Sequence, residues 1–99
     1  MSEEFAAADA STQAEWVRKG EVTPVELVDA ANARIEARNP ELNAVILPAF
    51  EEARERAADP KLPGGPVRGV PFLMKDLGGE QEGEPNHLGM RFLKEAQWV

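Results

Sequence analysis

The sequence predicts an α/β chain: an N-terminal helical hairpin followed by the first βαβ unit of a larger mixed sheet, incomplete in these 99 residues. Three observations predict it. Thr23-Pro24-Val25-Glu26 is a capping box with proline at the first helical position, an unusually clear helix start. Two short apolar runs, Leu42 to Leu47 and Val70 to Met74, flank an amphipathic stretch from Ala49 to Ala58. In the second run Val70, Phe72 and Met74 alternate with Pro71 and Leu73, so both faces are apolar, as in a strand covered on both sides.

Composition sets the outer limits. One small domain or part of one fits the length, and 42% hydrophobic with 29% charged residues is ordinary for a soluble protein. No apolar run approaches the roughly 20 residues of a membrane span. Ser2-Glu3-Glu4 places acid where a signal peptide carries base, so a cytoplasmic location is expected. The absence of cysteine removes thiol nucleophiles, disulfides and thiolate metal sites together. Net charge is 7 negative, 18 acidic side chains against 11 basic, with the basic ones scattered, which argues against nucleic-acid binding.

The elements follow in order. Asp9 or Ser11 caps a first helix running to Lys19, with Gly20 just past its end and Ala10, Ala14 and Val17 as its apolar stripe. Trp16 sits beside the stripe, where packing is its expected role. The second helix starts at the capping box and is expected to stop near Arg38, because Asn39-Pro40 opposes further helical pairing. Leu27 or Val28, Ala31 and Ile35 form its inner face, and the two helices make the hairpin of residues 1–40.

Residues 41–77 form the strand-helix-strand. Leu42 to Leu47 is the first strand and Pro48 ends it. Ala49 to Ala58 is a helix with Phe50, Ala53 and Ala57 inside and its charged residues outside. After a loop through Gly65-Pro66, the second strand ends in Lys75 and Asp76. Residues 78–99 comprise a glycine-rich loop to Asn86, read as mobile, and a partial C-terminal element whose apolar residues Met90, Leu93 and Trp98 follow no single period.

Lys75 is the residue with the most chemistry to offer. A lysine at the end of a buried strand loses solvation, which disfavours its charged form and prepares it to accept a proton. The alternative is a strand-end lysine whose stem lies along apolar surface while its head reaches water. Other motifs are weaker. Gly64 and Gly69 have phosphate-loop spacing, but Val70 stands where the lysine belongs. Glu84 and His87 could share a helical face as metal ligands, yet one such pair beside Pro85 builds no closed shell. The acidic pair Glu51 and Glu52 faces solvent on an amphipathic helix.

Gly65-Pro66-Val67-Arg68-Gly69-Val70-Pro71-Phe72-Leu73-Met74-Lys75-Asp76-Leu77 resembles the Gly-Pro-Leu-X-Gly-Val-Pro-X-X-X-Lys-Asp segment of the amidase signature family. The stretches Thr23 to Val28, Ala33 to Glu36 and Asn39 to Ala44 are similar to that family's N-terminal helices, and His87 to Trp98 resembles members acting on amides of the aminohexanoate type. The resemblance implies the amidase signature fold and amide hydrolysis by a Ser, cis-Ser, Lys triad in which Lys75 is the base. It implies a small-molecule amide substrate and no metal or organic cofactor. Both triad serines stand beyond the lysine segment in the family, whereas this chain has serine only at Ser2 and Ser11.

The chain is therefore read as the N-terminal portion of a single amidase domain, inactive alone, with a C-terminal portion or a homodimer partner as its expected protein contact. The doubly apolar strand supports this reading without the resemblance, since it calls for more paired strands than the chain supplies. Two alternatives stay open. One is a non-catalytic interaction module or truncated remnant, the other an amidotransferase A-type subunit.

Overall fold

In the computed structural model, residues 2–76 and 82–97 are described. They form five helices, α1 Ser2–Ala7, α2 Ala10–Arg18, α3 Pro24–Leu42, α4 Phe50–Ala58 and α5 Arg91–Glu95, joined by turns and irregular segments. Leu77, the loop residues Gly78 to Gln81 and Trp98 lie outside the described residues.

Local chemistry explains the helix starts. Thr23 caps α3 through its side chain, which accepts from the Glu26 N–H at 3.2 Å, while Glu26 Oε1 accepts from the Thr23 N–H at the same distance. Two backbone donors that the helix itself leaves open are thus satisfied at once. At α2 the cap is Asp9, whose Oδ1 accepts from the Thr12 N–H at 2.8 Å, and this bond holds the Asp9 carboxyl below its ordinary range. Gly20 follows α2 at φ +75°, the left-handed conformation that ends a helix readily when the residue is glycine.

The core is small and centres on the start of α3. Leu27 is 1% exposed and packs with Phe5 and Val22, while Trp16, Val17 and Ala30 cover them. Phe5 and Trp16 meet with ring centroids 5.8 Å apart and planes tilted by 52°, a favourable aromatic geometry. This contact accounts for α1, an element absent from the sequence reading. Its alanines and glutamates give no clear stop or start, and the helix is held because Phe5 finds Trp16. Along α2 the predicted stripe is partly correct: Ala14 is buried and Val17 half-buried, whereas Ala10 is exposed. Both α1 and α4 pack on α3.

Three expectations need correction. The α3 helix does not stop near Arg38 but continues through Pro40 to Leu42. Proline within the last turn forfeits one backbone bond, and the helix then closes at Asn43, left-handed at φ 49°, with its N–H donating to the Asn39 carbonyl at 2.7 Å.

The expected first strand, Leu42 to Leu47, is not formed. Leu42 belongs to α3, and the Asn39 side chain takes both backbone groups of Val45, donating to its carbonyl at 2.8 Å and accepting from its N–H at 2.9 Å. Those groups are no longer available to a ladder.

The third correction concerns Val70 to Met74. The described part of this segment is irregular rather than a strand, so the βαβ unit is not formed among the described residues. Phe72 is 82% exposed, Leu73 64% and Met74 54%, so the cover anticipated for both faces is not supplied by these residues. A strand exists only when a neighbour accepts and donates across it, and alternation of apolar residues cannot provide that neighbour. The helix at Phe50–Ala58 agrees with expectation, with Phe50, Ala53 and Ala57 half-buried and the charged residues exposed.

Candidate active site

The segment carrying Lys75 is held at both ends. At its start, Arg68 donates from its backbone N–H to the Gly65 carbonyl at 3.3 Å and Val70 to the Val67 carbonyl at 3.1 Å, two successive turns. Side chains anchor them: Arg68 Nε donates to the Leu62 carbonyl at 3.1 Å, and Arg18 of α2 donates to the Pro66 carbonyl at 3.2 Å.

Gly69 is where the turn meets the helices. It lies at φ +86°, and a Cβ built there would stand 2.8 Å from Pro24 Cγ and 3.4 Å from Val17 Cγ1. Pro24 is a ring at the first position of α3 and cannot swing aside, so both backbone conformation and space demand glycine. Gly69→Ala is expected to destabilise the chain by about 2 kcal/mol, summing left-handed strain and overpacking. A thermal melt followed by circular dichroism checks this, and an unchanged midpoint would show that the turn does not bear on the helices.

At the far end Asp76 makes the main contact. Its Oδ1 accepts from the His87 N–H at 2.7 Å and its Oδ2 from the Gly89 N–H at 3.0 Å, bonds that span 11 and 13 positions of chain. Leu88 at φ 51° and Gly89 at φ 71° turn successive N–H groups toward the carboxylate, and Met90 closes the turn by donating to the His87 carbonyl at 2.8 Å.

These backbone donors, His87 first and then Gly89, lower the Asp76 carboxyl below its ordinary value against a small opposing effect of desolvation. The sign for stability follows. A carboxyl lowered on folding contributes fully above its unfolded value, and the contribution is lost as pH falls through the folded value.

Lys75 stands between these anchors and is exposed. The burial on which the sequence reading rested is therefore not supplied by the described residues. His87 is half-buried and meets the site through its backbone rather than its ring. Asn86, beside it, is buried, and its Oδ1 has no hydrogen-bond partner among the described residues. A depression of about 720 Å³ lined by Gly89, Arg91, Lys94, Glu95 and Gln97 opens near the same turn without including Lys75.

Sequence reasoning identified Lys75 and Asp76 but missed the donors His87 and Gly89. Backbone N–H groups leave no mark in residue type, and the Gly89 glycine was the only available hint. Among the described residues, no cluster of three or more histidine, aspartate or glutamate side chains is placed to hold a metal ion, and no helix is long and apolar enough to cross a membrane.

No family model matches the chain. Individual proteins do. It is 46% identical over 88 residues to the 6-aminohexanoate-cyclic-dimer hydrolase of a Pseudomonas species (strain NK87), covering 89% of this chain and 17% of that protein. It is 40% identical over 92 residues to the lipoamidase of Enterococcus faecalis, covering 93% of this chain and 13% of the relative. Among solved structures, a 6-aminohexanoate cyclic dimer hydrolase complexed with substrate matches 91% of this chain with a TM-score of 0.80 and 44% identity, over 18% of its own chain. The chain thus spans under one fifth of the length of these relatives. With a superposing fold and 40–46% identity over about nine tenths of its length, this chain belongs to the amidase signature family and matches its N-terminal part.

Proposed function

We propose that this chain provides the N-terminal portion of an amide hydrolase in which Lys75 is the base of a Ser, cis-Ser, Lys relay. The observation that carries the reading is the 46% identity over 88 residues to a hydrolase of a cyclic amide, a span that includes most of this chain. Lys75 ends an irregular segment pinned by Gly69 on one side and Asp76 on the other, so its backbone is placed while its amine is open to an incoming group. Such a base matters only when it faces a positioned nucleophile.

Neither Ser2 nor Ser11 lies near the lysine segment in sequence, so the proposed nucleophile and cis-serine come from polypeptide other than these 99 residues. The substrate proposed is a small linear or cyclic amide, and the isolated chain is proposed to be inactive.

Co-expressing the chain with the remaining portion of a cyclic-dimer hydrolase and measuring release of 6-aminohexanoate units tests the reading. Release by the pair and none by the chain alone is expected. A pair that assembles but releases nothing would favour a non-catalytic module.

A further inference from the structure

We infer that Asp76 is the positioning residue of this site: its two carboxylate oxygens latch the 87–89 turn onto the chain beside Lys75, and this latch sets where the Lys75 amine points. The inference rests on the reading of Lys75 as base. It adds a residue whose contribution is geometric, since Asp76 makes its contacts with backbone N–H groups.

Two observations carry it. Both oxygens are engaged, one by His87 at 2.7 Å and the other by Gly89 at 3.0 Å, so the carboxylate plane is fixed rather than free to rotate. The receiving turn is shaped for it, with Leu88 and Gly89 both left-handed and the turn closed from Met90 to His87. A non-glycine residue held at positive φ costs energy that the rest of the structure must offset, and charge-assisted bonds to a carboxylate are strong enough to do so.

Position along the chain supplies the consequence. Asp76 is covalently next to Lys75, and the side chains of Phe72 to Met74 are largely exposed, so packing does not hold this end of the segment. Among the described residues the latch restrains the Lys75 backbone from the C-terminal side, as Gly69 does from the N-terminal side. The titratable side chain acting on the carboxylate across this contact is His87, and Lys75 is its covalent neighbour.

Substitutions separate geometry from charge. Asp76→Asn keeps the size and one acceptor for the His87 N–H, but its amide nitrogen cannot accept from Gly89. Asp76→Glu retains both acceptors on a stem one methylene longer.

The test has two arms. In the full chain labelled with 15N, the His87 and Gly89 amide resonances are followed from pH 6 to about pH 2. They are expected to move together with one midpoint below the ordinary aspartate value, and the Lys75 amide is expected to follow the same curve. Separate midpoints, or a Lys75 amide that stays flat while the other two move, would overturn the latch. This arm uses the unmodified chain and does not depend on any variant folding.

In the complemented enzyme, Asp76→Asn is expected to lower kcat by about 10²-fold with KM nearly unchanged, and Asp76→Glu to recover part of the loss. Equal kcat in Asp76→Asn and the parent would overturn the positioning role. The two readings fail differently. Activity that survives Lys75→Ala removes the base assignment and leaves the shared titration of His87 and Gly89 intact, whereas loss of that shared titration removes the latch whatever Lys75 does.

Discussion

Lys75→Ala in the complemented enzyme is expected to lower amide release by about 10²- to 10⁴-fold, the range a well-placed general base contributes. The effect should fall on kcat rather than KM, because a base acting on a serine relay makes its contribution as the proton moves and not as the substrate binds. Lys75→Arg separates the possible reasons for a loss. Arginine keeps the positive charge and most of the length but does not release its proton in the accessible range, so it should be as inactive as alanine. An active arginine variant would show that position 75 supplies a charge, and the base assignment would fall. The exposure of Lys75 sharpens the experiment. The described residues leave the Lys75 side chain exposed, so complementation should be required for the lysine to act at all. Helicity and pairing of each variant with the partner portion need to match the parent, and Lys75 makes this practicable because it lies away from the Leu27 core.

Leu27→Ala is expected to lower the melting temperature of the chain by about 15 °C. Leu27 is 1% exposed, the most enclosed of the large side chains among the described residues, and it joins Phe5 and Val22 while Trp16, Val17 and Ala30 close over the group. Truncating such a leucine removes its transfer free energy and leaves a cavity, together about 3 kcal/mol. Each kcal/mol corresponds to about 4–8 °C for a domain of this size. The core has few members, Phe5, Ala14, Val22, Leu27 and Val28 among the buried apolar residues described, so little else can compensate. A melt followed at the helical circular dichroism band checks this. A shift below about 5 °C would mean that the helices are held mainly by something other than this cluster, α4 on α3 being the first place to look. Trp16 fluorescence gives a second readout, because its ring rests on Phe5 in the same group.

The parts of the fold that were legible in advance are those whose cause is local. Thr23 and Glu26 satisfy each other's open backbone groups across three positions, so residue type and spacing suffice to locate the start of α3; for α2 they left Asp9 and Ser11 as candidates, and the bond from the Thr12 N–H marks Asp9. The α4 helix was legible because its polar and apolar residues separate at helical spacing. Pro40 misled for a related reason: the rule that proline ends helices describes interior positions, and here it stands within the last turn, where Asn43 and Asn39 complete the closure.

The candidate site was half legible. Lys75 and Asp76 were visible as a pair at the end of an apolar run, and the resemblance to a family segment supplied the role proposed for the lysine. What Asp76 holds was not visible, because its partners are backbone donors 11 and 13 positions away. Residue type at 87 carried no signal, since His87 was set aside as a metal ligand and it is its backbone N–H that makes the bond.

Residue identity over a few positions was enough for the family resemblance, the capped start of α3 and the choice of Lys75 as the candidate base. Tertiary structure decided whether apolar runs become strands, that Phe5 and Trp16 together hold an extra helix, that Lys75 faces water, and that Asp76 grips a turn beyond the loop. The physical reason is one of partners. A cap finds its hydrogen bond within its own helix, whereas a strand, an aromatic pair or a latched carboxylate exists only where distant segments of chain come within reach.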